Sequence, residues 1–359
     1  MRIATMVTGH YTCPPPKGVI YAPMLIAKAV AEGLTKKGHK VVFFGPKGSK
    51  LKVTKIISGG LKPLRGKKEH QILRDPKIDS AKVANLWDQY LISLIYQEAL
   101  KGRIDLINIH PIDRALPFGL AIKNIPIVYT LHDPIYPWRA EIFRMFQSKN
   151  QYFISISDAQ RKPAPNLNWA ATIYNGLDLK HFLFNGCPKD YCLFLGRLLP
   201  VKGVWEAILA TKKAKEKLII AGIPAEGEYW TKKIKPYLGK DVKYVGFVPQ
   251  EKIYKYYGEA KALLCPIQWE EPFGLTFIEA MACGTPVIAF DRGSSREVIK
   301  NGKTGFVVKN IEEMVKAIKK IDKIKREDCR AWVEKKFTIE KMVENYEKTF
   351  YKILAHQPR

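Results

Sequence analysis

Acidic residues are in short supply in this chain. Against 60 lysines and arginines stand 34 aspartates and glutamates, a formal net charge of +26 at pH 7. An imbalance that large predicts an anionic partner without naming it. Cysteine is sparse too: the six, at 13, 187, 192, 265, 283 and 329, form no C-x-x-C pair and have no histidine at zinc-ligand spacing. Neither a disulfide framework nor a structural zinc is expected, which suits a reducing cytoplasm. No run reaches the roughly 18 apolar residues of a membrane span. The opening "MRIATMVTGH" has neither a long apolar core nor a small-residue cleavage site, so it reads as a first strand. Also missing are H-E-x-x-H, an Asp-x-Asp pair for a metal-held diphosphate and the G-x-S-x-G nucleophile elbow. Neutralising any phosphate is left to cationic side chains. The chain has no internal repeat, low-complexity tract or heptad series.

What is present is globular: 47% hydrophobic and 26% charged residues over a length of 359. By the usual size of domains that suggests two, of roughly 150 to 180 residues each. Short apolar runs ending in turn residues, "RIATMVTG", "HKVVFFG", "IDLINIH", "IPIVYTLHD" and "YFISISD", alternate with helical segments. A second series follows in "YCLFLGRL", "KLIIAG", "VKYVGFV", "ALLCPI", "TPVIAF" and "TGFVV". Strands apolar along their whole length predict parallel sheets covered on both faces, hence two doubly wound α/β domains. The segment between the series is rich in Pro, Asn and Gly and lacks helical periodicity, which places the junction near residue 176. The expected division is 1–176, 177–337 and a last helix over 338–359, whose apolar residues 339, 342, 343, 346, 350, 353 and 354 form a 3.6-residue stripe. From Lys47 to Lys82 the chain carries 11 basic and 3 acidic residues with little periodicity, a solvated loop or one that faces a membrane or substrate.

Ligands of open α/β sheets sit beyond the carboxyl ends of the strands, so polar residues just after each strand are the candidates. In "ALLCPIQWEEPFGLTFIEAMACGTPVIAF" a buried strand leads through a tight loop to a helix capped at its end by Gly284. Gly274 then lies at a helix N-terminus, where free N–H groups and the positive dipole end favour an anion or a polar oxygen. Glu271 precedes that helix. Glu279 lies five residues beyond Gly274, about 7.5 Å along the axis, among residues too apolar to be mostly exposed. The two acids would face different parts of one extended ligand. Glu271 alone also fits a simple role at the helix dipole. In "FLGRLLPVKGVWEAILA", Arg197 and Lys202 sit between a strand end and a helix start, a place for a diphosphate or for ordinary surface charge. "IVYTLHD" puts His132 at a strand end, where both a structural and a functional role stay open. Gly9 and Gly18 flank "HYTCPPPK", a glycine-bearing loop that is not G-x-G-x-x-G and so predicts no bound NAD.

Together these residues resemble glycosyltransferase family 4, retaining transferases that use nucleotide sugars and have GT-B architecture. The family's E-x7-E element matches Glu271 and Glu279, and G-R-(x4)-K-G matches Gly196, Arg197, Lys202 and Gly203. "SISDAQ", "IYNGLD" and "VGFV" are similar to further family segments. The resemblance implies two Rossmann-like domains facing each other across a cleft, the last helix crossing back onto the first. It implies that Arg197 and Lys202 hold the donor diphosphate, Glu279 the ribose hydroxyls, and Glu271 with the backbone of Phe273, Gly274 and Leu275 the sugar, Thr276 belonging to the same donor-binding set. His132 would contact the sugar from the first domain, and Gly18 would belong to the loop near acceptor and phosphate, where many members have a Gly-Gly pair. Glu271, His132, Arg197 and Lys202 would thus carry the chemistry.

The implied activity is retaining transfer of a hexosyl group from a nucleoside-diphosphate sugar to a glycan, lipid or small-molecule acceptor. It would need no metal and no cofactor, in the cytoplasm, with an anionic membrane surface as a candidate second partner. A sugar-nucleotide epimerase on the same architecture is the alternative. A nucleic-acid-binding protein is suggested by charge alone and lacks any recognition motif.

Overall fold

The computed structural model describes residues 1–66, 70–75, 77–224 and 227–356. It divides into two compact units. The first consists of Met1–Ile156, Arg161–Tyr174 and the segment from Ile339; the second of Ser157–Gln160 and Asn175–Thr338.

In the first unit β1 (Arg2–Met6), β2 (Lys40–Phe44), β3 (Lys55–Ile57), β4 (Leu106–Ile109), β5 (Ile127–Thr130), β6 (Gln151–Ser155) and β7 (Trp169–Thr172) form one sheet. Its order is β3-β2-β1-β4-β5-β6-β7, and every pairing is parallel. The helices are α1 (Ala22–Lys36), α2 (Ser80–Leu100), α3 (Ile112–Ala121) and α4 (Pro137–Phe146). All residues of β4 and β5 are buried, as expected of central strands covered on both faces.

The short α5 (Asp158–Arg161) leads out of β6. The Glu297 carboxylate accepts hydrogen bonds from the backbone N–H of Asp158 (2.8 Å) and Ala159 (2.6 Å), which ties 157–160 to the second unit. An anion at a helix N-terminus is the favoured arrangement. A single boundary at 176 is therefore not what the chain does: it passes into the second unit, returns for β7 and leaves after Tyr174.

The second unit holds β8 (Cys192–Leu195), α6 (Val204–Ala214), β9 (Leu218–Ala221), β10 (Val242–Tyr244), α7 (Gln250–Glu259) and β11 (Ala262–Cys265). It continues with α8 (Leu275–Ala282), β12 (Val287–Phe290), α9 (Ser295–Val298), β13 (Gly305–Val308), α10 (Ile311–Ile318) and α11 (Arg326–Lys336). The sheet order is β10-β9-β8-β11-β12-β13, again wholly parallel. Strand order reverses between β1 and β4 in one sheet and between β8 and β11 in the other. These are the two topological switch points, where such sheets open a crevice for ligands.

The last helix, α12 (Ile339–Ala355), packs against α1 of the first unit. It buries Met342, Val343, Tyr346, Phe350 and Ile353. Gly33 of α1 lies so near Val343 that a Cβ there would approach Cγ2 to 2.5 Å, so the glycine permits the contact. Glu347 then accepts hydrogen bonds from Lys37 at 2.7 Å and His39 at 2.8 Å.

The segment from Lys47 to Lys82 is more than a loop. It contains β3 and is pinned by buried Leu64, by Trp87 Nε1 donating to Lys62 O (2.9 Å) and by Tyr90 Oη donating to Gly59 O (2.8 Å). Its residues 67–69 and 76 lie outside the described residues.

Candidate functional site

In the second unit the loops at the β8/β11 switch point are forced together. Gly203 has φ +79°, and a Cβ on it would stand 1.9 Å from the Pro266 carbonyl oxygen just after β11. Only glycine satisfies both the left-handed backbone and the approach. The preceding single 3₁₀ turn, Pro200–Lys202, thereby brings Lys202 to the loop that precedes α8. There Lys202 Nζ donates to Glu271 Oε2 at 2.9 Å and sits 4.2 Å from the centre of the Trp269 ring. Trp269 Nε1 donates to the same carboxylate oxygen at 2.9 Å. The lysine and the acid keep 22% and 16% of their side-chain surface exposed, so the pair is largely shielded but reachable. The anion expected beside Lys202 is thus supplied by Glu271 itself.

Glu271 is also fixed through its backbone, because its carbonyl accepts the Ser294 N–H at 3.0 Å and Gly293 packs on its main chain. Neighbouring Glu270 accepts from Gly293 N at 2.7 Å. The loop after β12 therefore braces the acidic loop.

Gly274, at φ +82°, begins α8 with no side-chain cap, and no acid stands in the helix's first turn. The Phe277 N–H is spent on the Gly274 carbonyl at 3.0 Å, which leaves those of Leu275 and Thr276 for an external acceptor. Leu275 and Thr276 of that turn are half-buried, while the Phe273 ring is buried 5.8 Å from the Phe337 ring, so only its backbone can serve a ligand. One turn on, Glu279 Oε2 accepts from the buried Tyr257 hydroxyl at 2.7 Å. Burial pushes the Glu279 carboxyl above its ordinary range, and the tyrosine's donation opposes that shift. Arg197 follows β8, exposed and without an ion pair among the described residues.

In the first unit the β1/β4 switch point is organised by an unexpected acid. Asp88, fully buried on α2, accepts from Thr8 Oγ1 (3.0 Å), from Gly9 N (2.6 Å) and from the Arg114 guanidinium. It spends the Gly9 N–H that could otherwise have met a phosphate. Gly18 adopts φ +86°, and nothing lies within 4 Å of where its Cβ would be. His132, two residues beyond β5, is half-buried, and its Nε2 lies 2.7 Å from Nδ1 of buried His110 at the end of β4. The ring centres are 5.0 Å apart and the ring planes 17° from parallel. Burial pulls both imidazoles down, His132 to about 4 and His110 well below its usual value, so the pair is neutral near pH 7.

Among the described residues no group of three or more His, Cys, Asp or Glu side chains could hold a metal ion, and no helix is long and apolar enough to cross a membrane. All six cysteines are free.

The structure thus joins Lys202 to Glu271, places Glu279 on the same helix as Gly274, and sets His132 and Gly18 on the other unit. Trp269, Tyr257, Asp88 and His110 were missed from the sequence. His110 carried the same signal as His132, a polar residue closing an apolar strand.

Comparison with known proteins agrees in both halves. Residues 26–181 match the model of Glycosyltransferase Family 4, and residues 185–338 that of Glycosyl transferases group 1. Spore coat protein SA of Bacillus subtilis is 25% identical over 299 residues, 68% of this chain and 78% of that one. The uncharacterized glycosyltransferase MJ1178 of Methanocaldococcus jannaschii is 27% identical over 269 residues, 69% and 75% of the two chains. A sucrose-phosphate synthase from Thermosynechococcus elongatus shares the fold with a TM-score of 0.76 at 19% identity, over 99% of this chain and 100% of that one. Anabaena HepE in complex with UDP gives 0.71 at 19% identity, over 98% and 100%.

Proposed function

Because the chain belongs to the glycosyltransferases of the family 4 type, we propose that it moves a hexosyl group, with retention, from a nucleoside-diphosphate sugar to a glycan, lipid or small-molecule acceptor. The observation that carries this reading is the Lys202–Glu271 pair at a switch point, beside the uncapped start of α8, with Glu279 on that helix. A nucleotide sugar has a diphosphate between a ribose and a hexose. Lys202, Arg197 and the N–H groups of α8 suit the diphosphate, Glu279 the ribose hydroxyls and Glu271 the sugar.

The ion pair suggests how binding proceeds. A diphosphate outcompetes a single carboxylate for Lys202, and repulsion between the two anions favours turning Glu271 toward the sugar hydroxyls. In the transfer step the anomeric C–O bond to the diphosphate breaks while the acceptor oxygen bonds the same face. The acceptor proton passes to a phosphate oxygen, and Lys202, Arg197 and the helix N-terminus stabilise the departing charge. His132 is assigned to the donor sugar. With cations and helix ends in these places, donor binding needs no divalent ion and no cofactor; donor affinity abolished by a chelator would overturn that. The free, mostly buried thiols support a reducing cytoplasmic setting, and the exposed basic segment supports peripheral contact with an anionic membrane.

The test is a thermal-shift screen against UDP, GDP and ADP sugars, since a ligand that binds only the folded state raises its midpoint. UDP-glucose is the first donor to try, because HepE has been seen with UDP-glucose. Product analysis by NMR then reads the anomeric configuration. An inverted product would refute retention, and absence of any stabilising nucleotide would refute the donor class.

A further inference from the structure

The contact between the two histidines fixes more than their position. A 2.7 Å approach of His110 Nδ1 to His132 Nε2 is a hydrogen bond, so one nitrogen carries the proton and the other offers a lone pair. The remaining nitrogen of His110, Nε2, is buried and has no partner among the described residues. If His132 were the donor, His110 would have to carry its proton on that Nε2, leaving a buried N–H without an acceptor, the rarer and costlier orphan. If His110 donates, Nε2 is left only with an unused lone pair. His132, accepting at Nε2, then carries its own proton on Nδ1.

We propose that His110 is a positioning residue that locks His132 as the Nδ1–H tautomer, so that His132 presents a hydrogen-bond donor, not an acceptor, to an oxygen of the donor sugar. The main chain that carries the rings is held: the His110 backbone N–H is bonded to Met6 O at 3.1 Å. Asn108 of β4 donates through Nδ2 to Thr130 Oγ1 of β5 at 3.1 Å, and Tyr346 Oη donates to the same oxygen at 3.3 Å, which ties together the two strands that the histidines follow. Neither ring is free to flip without breaking the 2.7 Å bond. The inference rests on the reading that His132 meets the donor sugar.

The experiment is 15N NMR of the full chain with labelled histidine, the two signals assigned through His110→Phe and His132→Phe. Wild-type protein is expected to show Nδ1 of His132 protonated and Nε2 as the acceptor. In His110→Phe the proton should redistribute toward Nε2, and kcat should fall about tenfold while KM for the nucleotide sugar changes less than about twofold. His110→Asn, whose amide N–H replaces the donating Nδ1–H, should restore both the tautomer and most of kcat. An Nε2-protonated His132 in the wild type overturns the inference, and that measurement needs no variant to fold. A locked tautomer with undiminished turnover in His132→Ala would instead overturn the role of His132 in transfer, which distinguishes the two failures.

Discussion

Lys202 and Glu271 hold each other, and each is also held by Trp269. A nucleoside diphosphate must displace the carboxylate from the lysine and then tolerate its charge nearby. Glu271→Gln should therefore tighten free UDP by about fivefold, roughly 1 kcal/mol for a partly shielded pair, while lowering turnover of the intact donor. Calorimetry with UDP checks the first part; unchanged or weakened binding would mean that the pair does not guard the diphosphate site. Glu279→Ala has the opposite signature. It should weaken UDP and UDP-sugar alike by about tenfold, near 1.4 kcal/mol for a lost charged hydrogen bond, with Tyr257→Phe a milder version because the carboxylate stays. The histidine pair sets a pH dependence. Both imidazoles titrate below their ordinary value of 6.5 in the folded chain, His132 at about 4, so between those values the unfolded chain binds protons that the folded one refuses. Stability is fully present above about pH 6.5 and drains as pH falls toward about 4. The melting midpoint should drop over that window and drop less in His132→Phe; equal slopes would contradict the burial of the pair. Glu271 and Glu279 could be read from sequence because their spacing spans a helix start. Tyr257 and Asp88 could not. Each looks like an ordinary residue of an amphipathic helix until tertiary packing puts the Glu279 carboxylate, or the Gly9 N–H and Arg114, against it.

Among the elements, those that position the site depend on backbone shapes that few residues allow. Gly203 combines φ +79° with a carbonyl oxygen 1.9 Å from where its Cβ would be. The left-handed conformation alone would cost an ordinary residue about 1 kcal/mol, and pushing back a main-chain oxygen adds more, so Gly203→Ala should lose at least about 3 kcal/mol. Gly196, seven residues earlier, has open space within 4 Å and no positive φ. Gly196→Ala should be nearly neutral in a thermal melt, and similar losses in both would show that the β8–α6 loop yields without strain. The central strands were legible because burial on both faces writes itself as unbroken apolar runs. The edge strands of the first sheet were not, although those of the second, β10 and β13, were. β3 is three residues long and begins with an exposed lysine, and β7, Trp-Ala-Ala-Thr, is only half-buried and sits in a stretch dense with Pro and Asn. Edge pairing is decided by the neighbouring strand as much as by the residues themselves. The excursion of Ser157–Gln160 into the second unit was equally hidden, since it depends on Glu297, far along the chain.

For the molecule as a whole, the net charge of +26 is spread widely, and the question is whether it acts as a diffuse field or through a patch. The segment from Lys47 to Lys82 favours a patch. Every described lysine and arginine in it is exposed, and none forms an ion pair among the described residues, whereas elsewhere lysines such as Lys37, Lys213 and Lys261 are paired with acids. Unpaired exposed cations can approach anionic lipid headgroups without first giving up a partner. Each contributes about 1 kcal/mol when close to such a surface, and the attraction fades beyond a Debye length of about 10 Å at 0.1 M salt. Flotation with vesicles of phosphatidylcholine, with and without phosphatidylserine, should then show binding only to the anionic set, lost as salt is raised. Replacing Lys50, Lys52, Lys55 and Lys62 with glutamine should abolish most of it. The same number of charges removed at Lys316, Lys319, Lys320 and Lys323 on the second unit should leave it largely intact. Equal losses in the two variants would mean that net charge and not the patch drives association. Equal flotation with neutral and anionic vesicles would remove the membrane altogether, and a small-molecule or glycan acceptor would then be favoured over a lipid.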